Sequence, residues 1–162
     1  MPERRIPEDA LNALLQGPAP LLPALLVSRE ALARIGGLDE EVPSYQEWDT
    51  SIRLAHDCRF REPSEPVLIY HQGGGDSISA SRANDVRGYL YVIEKHRAEI
   101  DAETWEEHLR FLARRALNFG LWDEARRLLE RAKKRDARWQ TYMLCARLRV
   151  RPSRLRRVLR AR

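Results

Sequence analysis

The sequence predicts an α/β protein that is mostly helical and carries one small sheet. Two apolar runs predict the strands: residues 21–28, which are short enough for a buried strand, and residues 67–71, which are β-branched and aromatic. After residue 80, four successive segments instead repeat apolar residues at helical spacing. We therefore expect an α/β segment over residues 1–80 and an all-helical segment over residues 81–162.

The first helices have clear boundary signals. Residues 7–17 (PEDALNALLQG) predict a short helix, because three leucines fall on one face and Gly17 follows its end. Ser28 is suited to cap the helix predicted over residues 29–37 (REALARIGG), and the Gly-Gly pair at its end predicts the stop.

An acidic loop then leads into the most charged helix of the first half. Residues 38–46 (LDEEVPSYQ) predict the loop, and residues 47–57 (EWDTSIRLAHD) return to helical spacing with Trp48 and Ile52 on one side. The glycines at 73–75 predict a mobile loop after the second strand.

The helices of the second half are predicted from amphipathic spacing. Asp101, followed by Glu103 and Thr104, predicts a helix start. Pro152 interrupts the pattern, and residues 153–162 predict a final short basic helix.

Composition indicates a protein of the cytoplasm. Apolar residues make up 43% of the chain and charged residues 33%, which suits a core with a hydrated surface. No apolar run approaches the roughly 18 to 20 residues that cross a bilayer, and residues 1–10 lack the apolar stretch of a signal peptide. The two cysteines, Cys58 and Cys145, are not at metal-binding spacing and are expected to be unpaired small hydrophobes.

Charge is unevenly distributed along the chain. From residue 121 onward there are 15 Lys and Arg against 4 Asp and Glu, whereas residues 1–120 hold 14 against 20. A basic end on an acidic body indicates an anionic partner or a separate module.

Three short motifs follow one another between residue 25 and residue 79: GGLDE at residues 36–40, QEWD at residues 46–49 and DSIS at residues 76–79. In order and spacing they resemble the GGFDE motif, the ED.D stretch and the closing loop of the acceptor-side, C-terminal half of family 2 glycosyltransferases of the GT-A fold. The resemblance implies a partial GT-A-like segment with a small sheet.

The resemblance also implies roles for individual residues. Glu47 stands where the family has the general base that activates the acceptor hydroxyl, in an inverting hexosyl transfer. A hydroxyl is a poor nucleophile until a positioned base takes its proton, and a carboxylate at a helix start stays ionised beside the helix dipole. Asp49 is the second acid of the predicted catalytic pair. The predicted substrate-binding residues are Trp48, Arg53, His71, Asp76 and Ser77.

The resemblance implies that the cofactors bind to a part of the enzyme other than these 162 residues. A nucleotide-sugar donor and a divalent cation, Mg²⁺ or Mn²⁺, are expected only with a donor-binding half that carries a DxD motif, and the 162 residues contain no DxD. We therefore expect no cofactor within this chain and no transfer by the chain alone. The implied acceptor is a sugar or a lipid-linked glycan.

The second half resembles a tetratricopeptide unit over about residues 106–139. Its spacing is carried by a set of small and large apolar residues: Leu112, Gly120, Trp122, Ala125 and Ala132. Paired helices of this kind stabilise one another by stacking, so one or two units must pack against the preceding segment.

The C-terminal tail, Arg149–Arg162, contains seven arginines and no acid. With its apolar edge, it is expected either to lie on an anionic membrane surface, peripheral to the inner face of the membrane, or to be a solvated tail. Nucleic acid is not expected, because no aromatic residue is interleaved with these arginines. An alternative to the transferase is a non-catalytic interaction module, in which a degenerate transferase remnant supports helices that bind a protein partner.

Overall fold

The computed structural model describes residues 10–18, 22–61, 65, 69 and 81–154, and these residues are helical wherever they are regular. The helices are α1 (Leu11–Leu15), α2 (Arg29–Arg34), α3 (Gln46–Ala55), α4 (Arg82–Lys95), α5 (Ala102–Phe119), α6 (Trp122–Arg131) and α7 (Ala137–Leu148). None of the described helices is long and apolar enough to cross a membrane.

The prediction of an α/β fold is wrong. No strand and no sheet occur among the described residues, which form an all-α structure. The run at residues 21–28, predicted as a strand, contains the 3-10 turn Leu22–Ala24 and then irregular chain. Pro23 has no N–H for a ladder, and the side chain of Leu26 is fully exposed at 102%, so this run does not behave as a buried strand. Of the second predicted strand, only Ile69 is described, and it is irregular and exposed.

The helix boundaries follow the capping signals in the sequence. The side chain of Ser28 accepts a hydrogen bond from the backbone N–H of Ala31 at 3.1 Å, which confirms the predicted cap of α2. Asp101 accepts from the backbone N–H groups of Glu103 and Thr104, each at 2.9 Å, and so begins α5. Gly120 ends α5 with φ +82°, a left-handed conformation that glycine adopts without steric cost.

The helical hairpin predicted in the second half is present. Helices α5 and α6 pack extensively, and α6 in turn packs on α7. Leu112 and Ala125 are completely buried, and Ala132 is 2% exposed, so the small residues do lie where the helices approach. The ring of Trp122 lies against Gly120, 3.7 Å from where a Cβ would stand. The likeness of this hairpin to a tetratricopeptide unit stays a prediction.

A single core joins the two halves of the chain. Trp48 of α3 lies between α1 and the long helices, and its Nε1 donates to the carbonyl of Leu14 at 2.7 Å. His108 of α5 is also buried; its Nε2 is 2.8 Å from the carbonyl oxygen of Leu15, and its Nδ1 is 2.7 Å from the hydroxyl of Tyr89. Since a carbonyl only accepts, Nε2 donates to Leu15; in the neutral ring, which burial favours, Nδ1 then accepts from the hydroxyl of Tyr89. Burial lowers the pKa of His108.

Candidate functional site

The acidic residues around Trp48 lie at the start of α3. Tyr45 precedes the helix with φ +71°, an uncommon backbone conformation for a residue with a side chain. Its hydroxyl donates to Asp85 of α4 at 2.6 Å, which fixes the start of α3 against α4. Burial, followed by this hydrogen bond, raises the pKa of Tyr45.

Trp48, predicted to bind substrate, is part of the core. Its side chain has no exposed surface. The indole ring contacts three other rings, with centroid distances of 6.0 Å to Tyr45, 4.8 Å to Tyr89 and 6.0 Å to His108. Together with the hydrogen bond to Leu14, these contacts anchor α3 in the molecule.

Asp49 is completely buried and has three cationic or hydrogen-bonding partners. Its carboxylate oxygens lie 2.8 Å from Nε of Arg53, 2.9 Å from Nζ of Lys95 and 2.9 Å from Nε2 of His96. Burial by itself would raise the pKa of Asp49, but the hydrogen bonds from His96 and Lys95 and the charge of Arg53 outweigh it and bring the pKa to about 2. Asp49 is therefore a compensated, permanently ionised carboxylate near neutral pH.

Arg53 connects α3 to the Gly-Gly turn. Its Nη1 donates to the carbonyls of Ile35 at 2.7 Å and Gly37 at 2.8 Å. Both glycines of the turn, Gly36 and Gly37, have positive φ angles of +78° and +81°, which turn these carbonyls toward the arginine at no steric cost. Arg53, predicted to contact substrate, thus holds two sequence motifs together.

Asp39 and Lys95 complete this arrangement. Asp39 accepts from Nζ of Lys95 at 2.6 Å and from the hydroxyl of Tyr91 at 3.0 Å. Because Lys95 also contacts Asp49, one ammonium group bridges the GGLDE and QEWD stretches. The hydrogen bond from Lys95 is the main reason that the pKa of Asp39 is lowered.

His96 extends the network to two further residues. Its Nδ1 lies 3.0 Å from one carboxylate oxygen of Glu99, and Nε2 of His56 lies 2.9 Å from the other. The sequence patterns did not single out Lys95, His96 or Tyr91. Lys95 and His96 stand at the end of α4, where basic residues are ordinary neighbours of the helix dipole, so no local signal distinguished them.

Glu47 differs from Asp49 in its burial, in its ion pairing and in the direction in which its pKa is shifted. Its side chain is half-buried, and within the described part of the chain it forms no ion pair. Burial disfavours its charged form and raises its pKa, opposed only by a hydrogen bond from its own backbone N–H. The hydroxyls of Thr50 and Ser51, three and four residues further along α3, are buried and have no hydrogen-bond partner in the part of the chain that the structure describes. At this spacing the three side chains share one face of the helix.

Three predicted site residues, His71, Asp76 and Ser77, lie outside the described residues. The residues that do bring the GGLDE and QEWD stretches together are Asp39, Asp49 and Arg53 with Lys95. No group of three or more His, Cys, Asp or Glu side chains in the described ranges is placed to hold a metal ion.

Comparisons of the chain with protein-family models, with curated proteins and with solved structures give no match.

Proposed function

We propose that this chain forms the acceptor side of a nucleotide-sugar-dependent inverting glycosyltransferase, with Glu47 as the general base. The observation that carries the proposal is the environment of Glu47: a half-buried carboxylate in the first turn of α3, with a raised pKa and no cation paired to it among the described residues. A general base works best when its pKa lies closer to the working pH than that of an exposed carboxylate.

The proposed chemistry is a single displacement. The acceptor hydroxyl oxygen forms a bond to the anomeric carbon while the bond from that carbon to the nucleotide diphosphate breaks on the opposite face. The hydroxyl proton passes to the carboxylate of Glu47. The unpartnered hydroxyls of Thr50 and Ser51 on the same helix face add hydrogen-bonding capacity beside the base.

The remaining predicted site residues support the base from buried positions. In this proposal Asp49 and Arg53 hold α3 against the Gly-Gly turn, and Trp48 fixes the helix to α1, so these residues position Glu47 and do not touch the acceptor. A base that must approach one hydroxyl needs such a rigid support, because small misplacements cost large factors in rate.

The donor and the acceptor belong to the proposal as classes. The nucleotide sugar and its Mg²⁺ or Mn²⁺ are supplied by a donor-binding half with a DxD motif, which these 162 residues do not contain. The acceptor is a sugar or a lipid-linked glycan that presents a free hydroxyl.

Transfer assays test the proposal. The chain is mixed with a separately produced donor-binding half of the GT-A type, and transfer from nucleotide sugars to a panel of glycan acceptors is followed by mass spectrometry. We expect transfer that depends on both parts and falls at least about 100-fold with Glu47→Gln. Glu103→Gln is the matched control, because Glu103 also stands in the first turn of a helix and is exposed. Equal activity of the two variants, or tight nucleotide-sugar binding by the chain alone, would refute the assignment.

A second candidate function is a non-catalytic interaction module. It is favoured by two exposed leucines one helical turn apart on α7, Leu144 at 46% and Leu148 at 57% exposure. In that case the double variant Leu144→Gln/Leu148→Gln abolishes binding of the protein partner, whereas Glu47→Gln leaves it intact. The tail Arg149–Arg162 is then a further contact for the partner or for an anionic membrane surface, and only its first six residues are described.

A further inference from the structure

A cleft separate from Glu47 lies between α5 and the chain that follows α7. It encloses about 290 Å³. Four of its described lining residues come from α5 at positions i, i+3, i+4 and i+7, which is one face of a helix, and two come from the helical residues 152–154 after α7. The lining residues are Phe111, Arg114, Arg115, Asn118, Pro152 and Ser153. We call this the α5 cleft.

The α5 cleft is cationic. Among the described residues, two guanidinium groups and no carboxylate line it. Arg115 is held in place by Asp85, to which it donates from Nε and, at 2.9 Å, from Nη2, so its Nη1 is left over from this pair. Arg114 forms no ion pair among the described residues, and its guanidinium lies 5.8 Å from the centroid of the Phe111 ring. Asp85 therefore pre-orients Arg115, whereas Arg114 has no counter-ion within the described ranges.

A third cation lies close by. Arg82 and Arg115 both lie over the ring of Phe119, at 5.8 Å and 5.2 Å from its centroid. The three arginines Arg82, Arg114 and Arg115 each carry one positive charge and Asp85 carries one negative charge, so the local charge is +2. Asn118 and Ser153 add neutral donors at the rim, whereas Phe111 and Pro152 supply an apolar wall.

We propose that the α5 cleft binds a phosphate group, carried by a phosphorylated small molecule or by a lipid headgroup. Guanidinium forks match phosphate oxygens in geometry, and a phosphate monoester carries about −1.5 to −2 charges at pH 7, which the local charge balances. The apolar wall suits the organic part attached to the phosphate. The site does not include Glu47, so the phosphate-binding proposal and the transferase proposal can each be refuted without affecting the other.

A titration of the purified chain with inorganic phosphate, followed by NMR amide shifts, tests the site. We expect saturable shifts at Asn118 and Ser153 and an affinity that falls about tenfold with Arg114→Gln, which removes one charge-assisted contact. Arg114 is chosen because Arg115 also supports the fold through Asp85. Arg127→Gln is the control, since that arginine is 71% exposed and lies outside the cleft. Shifts that do not saturate, or an equal loss in both variants, overturn the proposal.

A second arm separates the two sources of the phosphate. Vesicles that contain phosphatidic acid, whose headgroup is a phosphate monoester, and vesicles of phosphatidylcholine are sedimented with the chain. Binding to the phosphatidic acid vesicles alone, with competition by inorganic phosphate and loss in Arg114→Gln, identifies a lipid headgroup. Saturable binding of inorganic phosphate without vesicle binding identifies a small phosphorylated molecule. Vesicle binding that neither inorganic phosphate nor Arg114→Gln reduces overturns the headgroup assignment.

Discussion

Replacing Asp49 by asparagine should cost the chain a large part of its stability. Asp49 is fully buried, and its pKa of about 2 compares with the ordinary value of 3.8 for an unperturbed aspartate. At about 1.36 kcal/mol per pKa unit, this difference is worth on the order of 2 kcal/mol near neutral pH. The asparagine also leaves Arg53, Lys95 and His96 without their shared anion, and removing one partner of a buried pair costs about 3 to 5 kcal/mol. We therefore expect a loss of about 3 kcal/mol at pH 7.

Urea unfolding of the wild type and of Asp49→Asn at several pH values measures this loss. Because the pKa of Asp49 is lowered on folding, its contribution is fully present above the unfolded pKa and is lost as the pH falls through the folded pKa. The difference between the two proteins should thus be constant near neutral pH and shrink from about pH 4 toward pH 2. Asp123→Asn, an exposed acid in the first turn of α6, is the control and should stay within about 0.5 kcal/mol of wild type. A difference below about 1 kcal/mol, or one that does not change with pH, would refute the compensated network.

Two further predictions concern the same region. Gly88→Ala should destabilise the chain by about 1 to 3 kcal/mol in urea unfolding. The Cβ of the alanine would stand 2.5 Å from the backbone oxygen of Ser44, so the backbone must shift. An unchanged midpoint would show that α4 and the loop before α3 are not in close contact. In carboxyl NMR titrations, the pKa of Glu47 should lie above that of an exposed glutamate, because burial disfavours its charge, and the pKa of Asp49 should lie near 2, because its partners stabilise its charge; the reverse order would remove the physical basis for choosing Glu47 as the base.

Many of the helix ends could be predicted from local signals. The caps at Ser28 and Asp101 are set by side chains that bond backbone N–H groups within three residues, and Gly120 ends α5 in a left-handed conformation that glycine adopts without steric cost, so the sequence contains the whole of their cause. The prediction of a strand over residues 21–28 was wrong, because an apolar run alone does not provide a neighbouring strand with which to pair. Whether a run pairs, packs or stays exposed depends on distant parts of the chain.

The candidate site could be predicted only in part for a similar reason. The resemblance to family 2 glycosyltransferases indicated Glu47, Asp49 and Arg53, but not what each of them contacts. Lys95 and His96 lie more than 40 positions from Asp49 in the sequence, and no local residue pattern around them predicts that contact. The roles of the two acids in the helix therefore became distinguishable only when their partners were known.

The contrast between Glu47 and Asp49 is the strongest physical argument about function in this molecule. The two carboxylates are two residues apart on one helix, yet the pKa of one is raised by burial and that of the other is lowered by three partners. Pairs of titratable groups whose environments move their pKa values apart are typical of acid–base sites. A raised carboxylate pKa also means that the ionised Glu47 costs stability once the pH rises above its unfolded value. Glu47→Gln should thus keep or gain stability while it loses transfer, whereas Asp49→Asn should lose both, and a purely structural Glu47 would not produce this separation.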